Sequence, residues 1–117
     1  MRGMIVLYGI PNCDTVKKAR AWLADQGLDY RFHDFKKQGV PAQQLALWAE
    51  ATGWETLLNR KGTTWRKLDA SAQAAVQDAA SAQALMLTQP SVIKRPVVEW
   101  GQDITVGFDA AAWAGRT

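Results

Sequence analysis

One cysteine and one histidine in 117 residues leave the chain little sulfur or imidazole of its own. The single Cys13 excludes an internal disulfide, and with His33 as the lone imidazole no cysteine-rich or two-histidine metal site can be assembled. Proline is scarce, at 4 residues, and the rest of the composition lacks the polar bias of a disordered chain. No apolar run approaches the roughly 20 residues that a membrane span requires. Met1–Tyr8 leads into turn residues where a signal peptide would carry a cleavage site. A cytoplasmic protein without a membrane partner is the expectation. Charge of one sign is also missing, because 14 basic residues face 11 acidic ones. That surplus does not establish nucleic-acid binding, although it permits an anionic ligand. At this length one core is expected, so residues 1–117 read as a single domain; a monomer is the expectation.

Hydrophobic periodicity orders the elements. Met4–Tyr8 is a short apolar strand, and Gly9-Ile10-Pro11-Asn12 punctuates it. A helix then starts at Asp14 or Thr15, shows apolar positions at Val16, Ala19, Trp22 and Leu23, and stops at Gly27. Tyr30–Phe35 alternates aromatic with polar residues, the pattern of a half-buried strand. Strand, helix and strand at this spacing make a right-handed βαβ unit with a parallel pair. Pro41 opens a helix carrying Leu45, Leu47, Trp48 and Ala51, and Gly53 closes it. Asn59–Lys67 is polar and basic. Ala70–Gln89 reads as one alanine-rich helix ended by Pro90, because alanine is the best helix former. Pro96–Trp100 and Ile104–Phe108, joined at Gly101–Asp103, read as a hairpin, and Ala110–Trp113 as a short closing helix. The order predicts an α/β fold: a four-stranded mixed sheet with helices packed on it and a helical insertion at about 41–90.

Cys13 is the sharpest chemical feature. A thiol at a helix N-terminus meets unpaired backbone N–H groups and the positive end of the helix dipole, both of which favour the thiolate. Thr15 offers a hydroxyl and an N–H toward the sulfur, Lys17 and Lys18 add positive charge, and Asp14 opposes it. The alternative, a small buried apolar cysteine, fits a loop position between Asn12 and Asp14 less well. A second constellation is basic: Arg60, Lys61, Arg66 and Lys67, with Lys94-Arg95 just before Pro96. A guanidinium binds oxyanions and carboxylates through two parallel hydrogen bonds, so an arginine beside the thiolate would stabilise it and hold an anionic substrate. Arg66 and Lys67 read as a solvated face. Pro96, opening a strand, is a candidate for a cis bond. His33 sits in the alternating strand and reads as a packed imidazole with no catalytic part. Tryptophans at 22, 48, 54, 65, 100 and 113 are expected to fill the core and its edges, with Trp54 and Trp65 flanking the basic segment.

Three motifs together resemble the arsenate reductase and Spx family, and in particular its small YffB-like subgroup. They are Leu7-Tyr8-Gly9-Ile10-Pro11-Asn12-Cys13-Asp14-Thr15, then Leu58-Asn59-Arg60-Lys61-Gly62-Thr63-Thr64-Trp65-Arg66-Lys67-Leu68, then Ile93-Lys94-Arg95-Pro96-Val97. The resemblance runs along nearly the whole chain. It implies a thioredoxin-like fold with an insertion between βαβ and ββα halves, Cys13 as redox nucleophile and Arg95 as the residue that holds the oxyanion and thiolate. It also implies Pro96 as a cis-proline. Arg60, one place beyond the position after Leu57-Leu58, takes the place of a further anion-binding arginine. Asn12, Thr15, Arg60 and Pro96 are thus the expected substrate or anion contacts, with no metal site. Two departures stand out. Thr105-Val106-Gly107-Phe108 lacks the hairpin arginine of arsenate reductases, and Val16 occupies the place of the second cysteine common in Spx regulators. The implied activity is a glutathione-dependent thiol oxidoreductase with no tightly bound cofactor: Cys13 attacks an oxidised thiol or oxyanion substrate, and glutathione, the cosubstrate, resolves the mixed disulfide. Alternatives are arsenate reduction with glutathione or glutaredoxin, and a Spx-like regulator that binds RNA polymerase or another protein without catalysis.

Overall fold

The apolar run near the start forms β1, Ile5–Gly9, in a computed structural model that describes residues 4–116. Helix α1, Asp14–Asp25, and β2, Tyr30–Asp34, complete the βαβ unit. β1 and β2 are parallel, from Ile5 opposite Tyr30 to Gly9 opposite Asp34. β3, Val97–Glu99, lies antiparallel to β1 with Val98 opposite Leu7, and β4, Ile104–Val106, pairs antiparallel with β3. The sheet order is β2-β1-β3-β4, the mixed four-stranded arrangement expected. These strands belong to a unit built from the segments up to Gln38 and from Arg95 onward, and Gly39–Lys94 forms a second unit.

In the first unit, Val16, Ala19 and Leu23 recur three and four residues apart, so they share one face of α1. They are buried against Leu7 of β1, Val98 of β3 and Trp113. Trp113 lies on the closing helix, Ala110–Ala114. Its ring meets Trp22, Trp100 and Phe108 edge-on, with centroids 5.7, 4.9 and 4.8 Å away, the geometry that aromatic quadrupoles favour. α1 ends as its sequence predicts. Gly27 adopts φ 69°, and Leu28 N–H reaches Leu23 O while Gly27 N–H reaches Ala24 O, both at 3.0 Å, the paired bonds that satisfy a helix end. At the other end, a Cβ on Gly9 would sit 2.8 Å from Val16 Cγ2. Glycine therefore lets β1 run close under the first turn of α1.

β2 stops one residue earlier than its alternation predicts. Asp34 Oδ1 accepts the Lys36 N–H at 2.8 Å, a turn that converts the chain to a short helix α2, Phe35–Gln38, so Phe35 opens that helix and the strand ends at Asp34.

The second unit is helical: α3 Ala42–Thr52, α4 Trp54–Leu57, α5 Thr63–Lys67, α6 Ala70–Ala74 and α7 Ala79–Thr88, followed by a 3-10 turn at Pro90–Val92. The single helix expected over 70–89 is broken. Asp78 starts α7 with a capping box, its carboxylate accepting the Ser81 N–H at 2.9 Å while Ser81 Oγ accepts the Asp78 N–H at 3.1 Å. This local bonding competes with helix continuation through 75–78 and outweighs alanine's propensity there. Leu45, Trp48, Leu57, Met86, Val92 and Ile93 are fully buried. A bridge between Leu58 and Ile93 is closed by Asn59 N–H to Val92 O at 2.8 Å and Lys94 N–H to Leu57 O at 2.7 Å.

Candidate active site

Cys13 is the N-cap of α1, with extended dihedrals (φ −95°, ψ 126°), as the punctuation of the sequence predicts. The loop reaches it through a tight turn in which Cys13 N–H donates to Ile10 O at 3.3 Å, and the Cys13 carbonyl accepts the Lys17 N–H at 2.9 Å to open the helix. The thiol is half-buried and does not close a side-chain cap bond. It still lies in a field that favours the anion. Burial pushes its pKa up, but the Val16 N–H, the Arg95 guanidinium acting through hydrogen bond and charge, and the Thr15 N–H together outweigh burial and hold it below the ordinary thiol value.

Arg95 arrives there by sheet topology. Tyr8, near the end of β1, pairs with Val97 at the start of the antiparallel β3, so the residues entering β3 lie beside the loop leaving β1. The Arg95–Pro96 bond is cis, the isomer implied by the resemblance, and Pro96 O accepts the Gly107 N–H at 2.8 Å, which fixes the hairpin next to that entry. The positive charge acting on the sulfur is thus Arg95's, while Lys17 and Lys18 are exposed along α1.

Thr15 is exposed and contributes through its backbone N–H. Asn12 is exposed in the turn before Cys13. Arg60 belongs to the second unit, exposed in the turn between α4 and α5, with its guanidinium carbon 5.8 Å from the Trp54 ring centroid and 6.0 Å from that of Trp65. The two indoles therefore flank Arg60, and Asn59 Oδ1 accepts the Lys61 N–H at 3.2 Å to shape the turn. Val16 lies outside the residues that the sequence marks for the site, yet it acts on the sulfur. Its contribution is a backbone N–H, which no side-chain type announces and which only the N-cap position of Cys13 makes visible.

His33 packs in an aromatic group, its ring centroid 4.9 Å from Tyr8 and 5.9 Å from Phe35. Tyr8 Oη donates to Glu99 Oε1 at 2.8 Å. Burial and then Glu99 push the Tyr8 phenol well above its ordinary pKa, so it stays protonated. Among the described residues, no group of three or more His, Cys, Asp or Glu side chains converges to hold a metal ion, and no helix is long and apolar enough to cross a membrane.

A family model described as the ArsC family matches residues 8–115. A solved YFFB protein is 51% identical and superposes with a TM-score of 0.91, over 96% of this chain and 97% of its own. The solution structure of an arsenate reductase (ArsC) related protein from Brucella melitensis is also 51% identical, with a TM-score of 0.75 over 97% of this chain and 93% of its own. The global transcriptional regulator Spx of Streptococcus pyogenes is 25% identical over 109 residues, 91% of this chain and 79% of the regulator. The four-stranded mixed sheet with its helices is the thioredoxin-like arrangement that these ArsC-related proteins share.

Proposed function

Because this chain belongs to the ArsC family, we propose that it is a thiol oxidoreductase in which Cys13 is the nucleophile and glutathione the outside reductant. The observation that carries this reading is the half-buried thiol at the start of α1, favoured as thiolate by first-turn N–H groups and by Arg95. The Cys13 thiolate attacks one sulfur of a disulfide substrate. The S–S bond breaks, and the other sulfur leaves as a thiolate that takes a proton from solvent. Glutathione thiolate then attacks the mixed disulfide at the substrate sulfur, which returns Cys13 as thiolate and releases a second disulfide. Arg95 lowers the cost of negative charge on the Cys13 sulfur whenever it is attacking or leaving. With one cysteine in the chain, the resolving thiol has to come from outside. Asn12, the Thr15 N–H, Arg60 and Pro96 are proposed as substrate or anion contacts. The test is reduction of a small disulfide coupled to glutathione: Cys13→Ser is expected to abolish turnover with an unchanged circular dichroism spectrum, and retained turnover would reject the mechanism.

The alternative reading is arsenate reduction by the same residues, favoured by the similarity to the arsenate reductase (ArsC) related protein of Brucella melitensis at 51% identity. The stretch Thr105-Val106-Gly107-Phe108 without an arginine weighs against it. Arsenite formation with glutathione, measured beside disulfide reduction on the same preparation, separates the two.

A further inference from the structure

A groove with a volume of about 460 Å³ opens in the first unit, lined by Pro11, Arg20, Phe32, Asp34, Lys37 and Gln38. It is distinct from the residues assigned above, although Pro11 belongs to the loop that carries Cys13. Its position follows from the topology. Phe32 and Asp34 stand at the carboxyl end of β2, where Asp34 pairs with Gly9, and in open α/β sheets the carboxyl ends of parallel strands are where ligands are received.

The polar groups of the groove differ in sign and are held in place. Arg20 lies with its guanidinium carbon 4.1 Å from the Phe32 ring centroid, and its Nε donates to Tyr30 Oη at 2.9 Å. The ring contact and the hydrogen bond restrain the guanidinium, so less rotamer entropy is lost when its two Nη nitrogens engage a carboxylate. Among the described residues, neither Arg20 nor Lys37 forms an ion pair. Asp34, only 7% exposed, uses Oδ1 for the Lys36 N–H at 2.8 Å, and Gln38 Oε1 accepts the Asp34 N–H at 3.3 Å. A fixed carboxylate thus shares a groove with two cations.

We infer that this groove binds a small dipolar ligand of the amino-acid or short-peptide class. The ligand's carboxylate would be held by Arg20 and Lys37, and its ammonium group would be directed to Asp34. A simple anion would meet the two cations but also the Asp34 carboxylate, which opposes it, whereas a dipolar molecule satisfies both signs at once.

Amide chemical shifts of the full chain, titrated with glycylglycine and separately with acetate, test this. Saturable shifts centred on Phe32, Asp34 and Lys37 are expected with glycylglycine, with affinity at least tenfold above that for acetate. Lys37→Gln, an exposed substitution, is expected to weaken glycylglycine binding severalfold. Asp34→Asn keeps an oxygen for the Lys36 N–H and is expected to erase the preference for glycylglycine over acetate while the rest of the amide spectrum is retained. Equal affinity for the two probes, shifts that fall elsewhere, or a preference unchanged in Asp34→Asn would overturn the inference.

Discussion

At the scale of single residues, the reactivity of Cys13 is a balance between burial and three sources of positive potential. A free thiol titrates near about 8.5, and each unit below that corresponds to about 1.4 kcal/mol in favour of the thiolate. The midpoint of Cys13 alkylation with pH is expected below the free-cysteine value, because Val16, Arg95 and Thr15 outweigh burial. Arg95→Gln removes the cation and is expected to move that midpoint upward, which a series of iodoacetamide rate measurements would reveal. An unchanged midpoint would remove Arg95 from the site. The same depression links to stability with a definite sign. Since the native pKa is the lower one, Cys13 contributes stability that is fully present above the unfolded-state value and fades as pH falls through the native value. Wild type should therefore gain stability over Cys13→Ser as pH rises through this window, and urea midpoints of both proteins across that pH range would show it. Much of this site was legible in the residues, because a cysteine directly before a helical pattern can only be an N-cap or its neighbour. The Arg95 contact was not legible from spacing. It depends on β3 returning beside β1, a non-local pairing, and only the Lys94-Arg95-Pro96 motif pointed to it.

At the scale of elements, the approach of β1 to α1 and the caps decide where the chain turns. Gly9→Ala places a methyl 2.8 Å from Val16 Cγ2, so overpacking of about 1–3 kcal/mol is expected, read as a lower denaturation midpoint. A wild-type midpoint in that variant would mean that β1 and α1 separate without cost. Asp78→Ala removes the cap of α7 and should cost about 1 kcal/mol, whereas Asp78→Asn should cost little, since asparagine caps comparably. The βαβ and hairpin elements were readable because their apolar period changes from two to between three and four and back. The break between Ala74 and Ala79 was not readable from propensity. Its signal is the Asp78-x-x-Ser81 spacing, easily passed over where Ser replaces the usual Glu or Gln of a capping box. The helix from Phe35 was hidden for a similar reason, because Phe35 extends the alternation of β2 while the Asp34 side chain turns the backbone away.

At the scale of the whole molecule, two units each bring a buried tryptophan to their interior, Trp113 in one and Trp48 in the other. Trp113→Ala should cost about 3–5 kcal/mol and loosen the aromatic group formed with Trp22, Trp100 and Phe108. With one cysteine in the chain, the proposed thiol–disulfide cycle requires its second thiol from another molecule. The most direct test is intact-mass measurement of the protein mixed with a glutathione-containing disulfide and then with excess glutathione. The proposed cycle predicts a mixed disulfide that maps to Cys13, accumulates in the first step and disappears in the second. A protein that stays unmodified, or a mixed disulfide that excess glutathione cannot release, would contradict it.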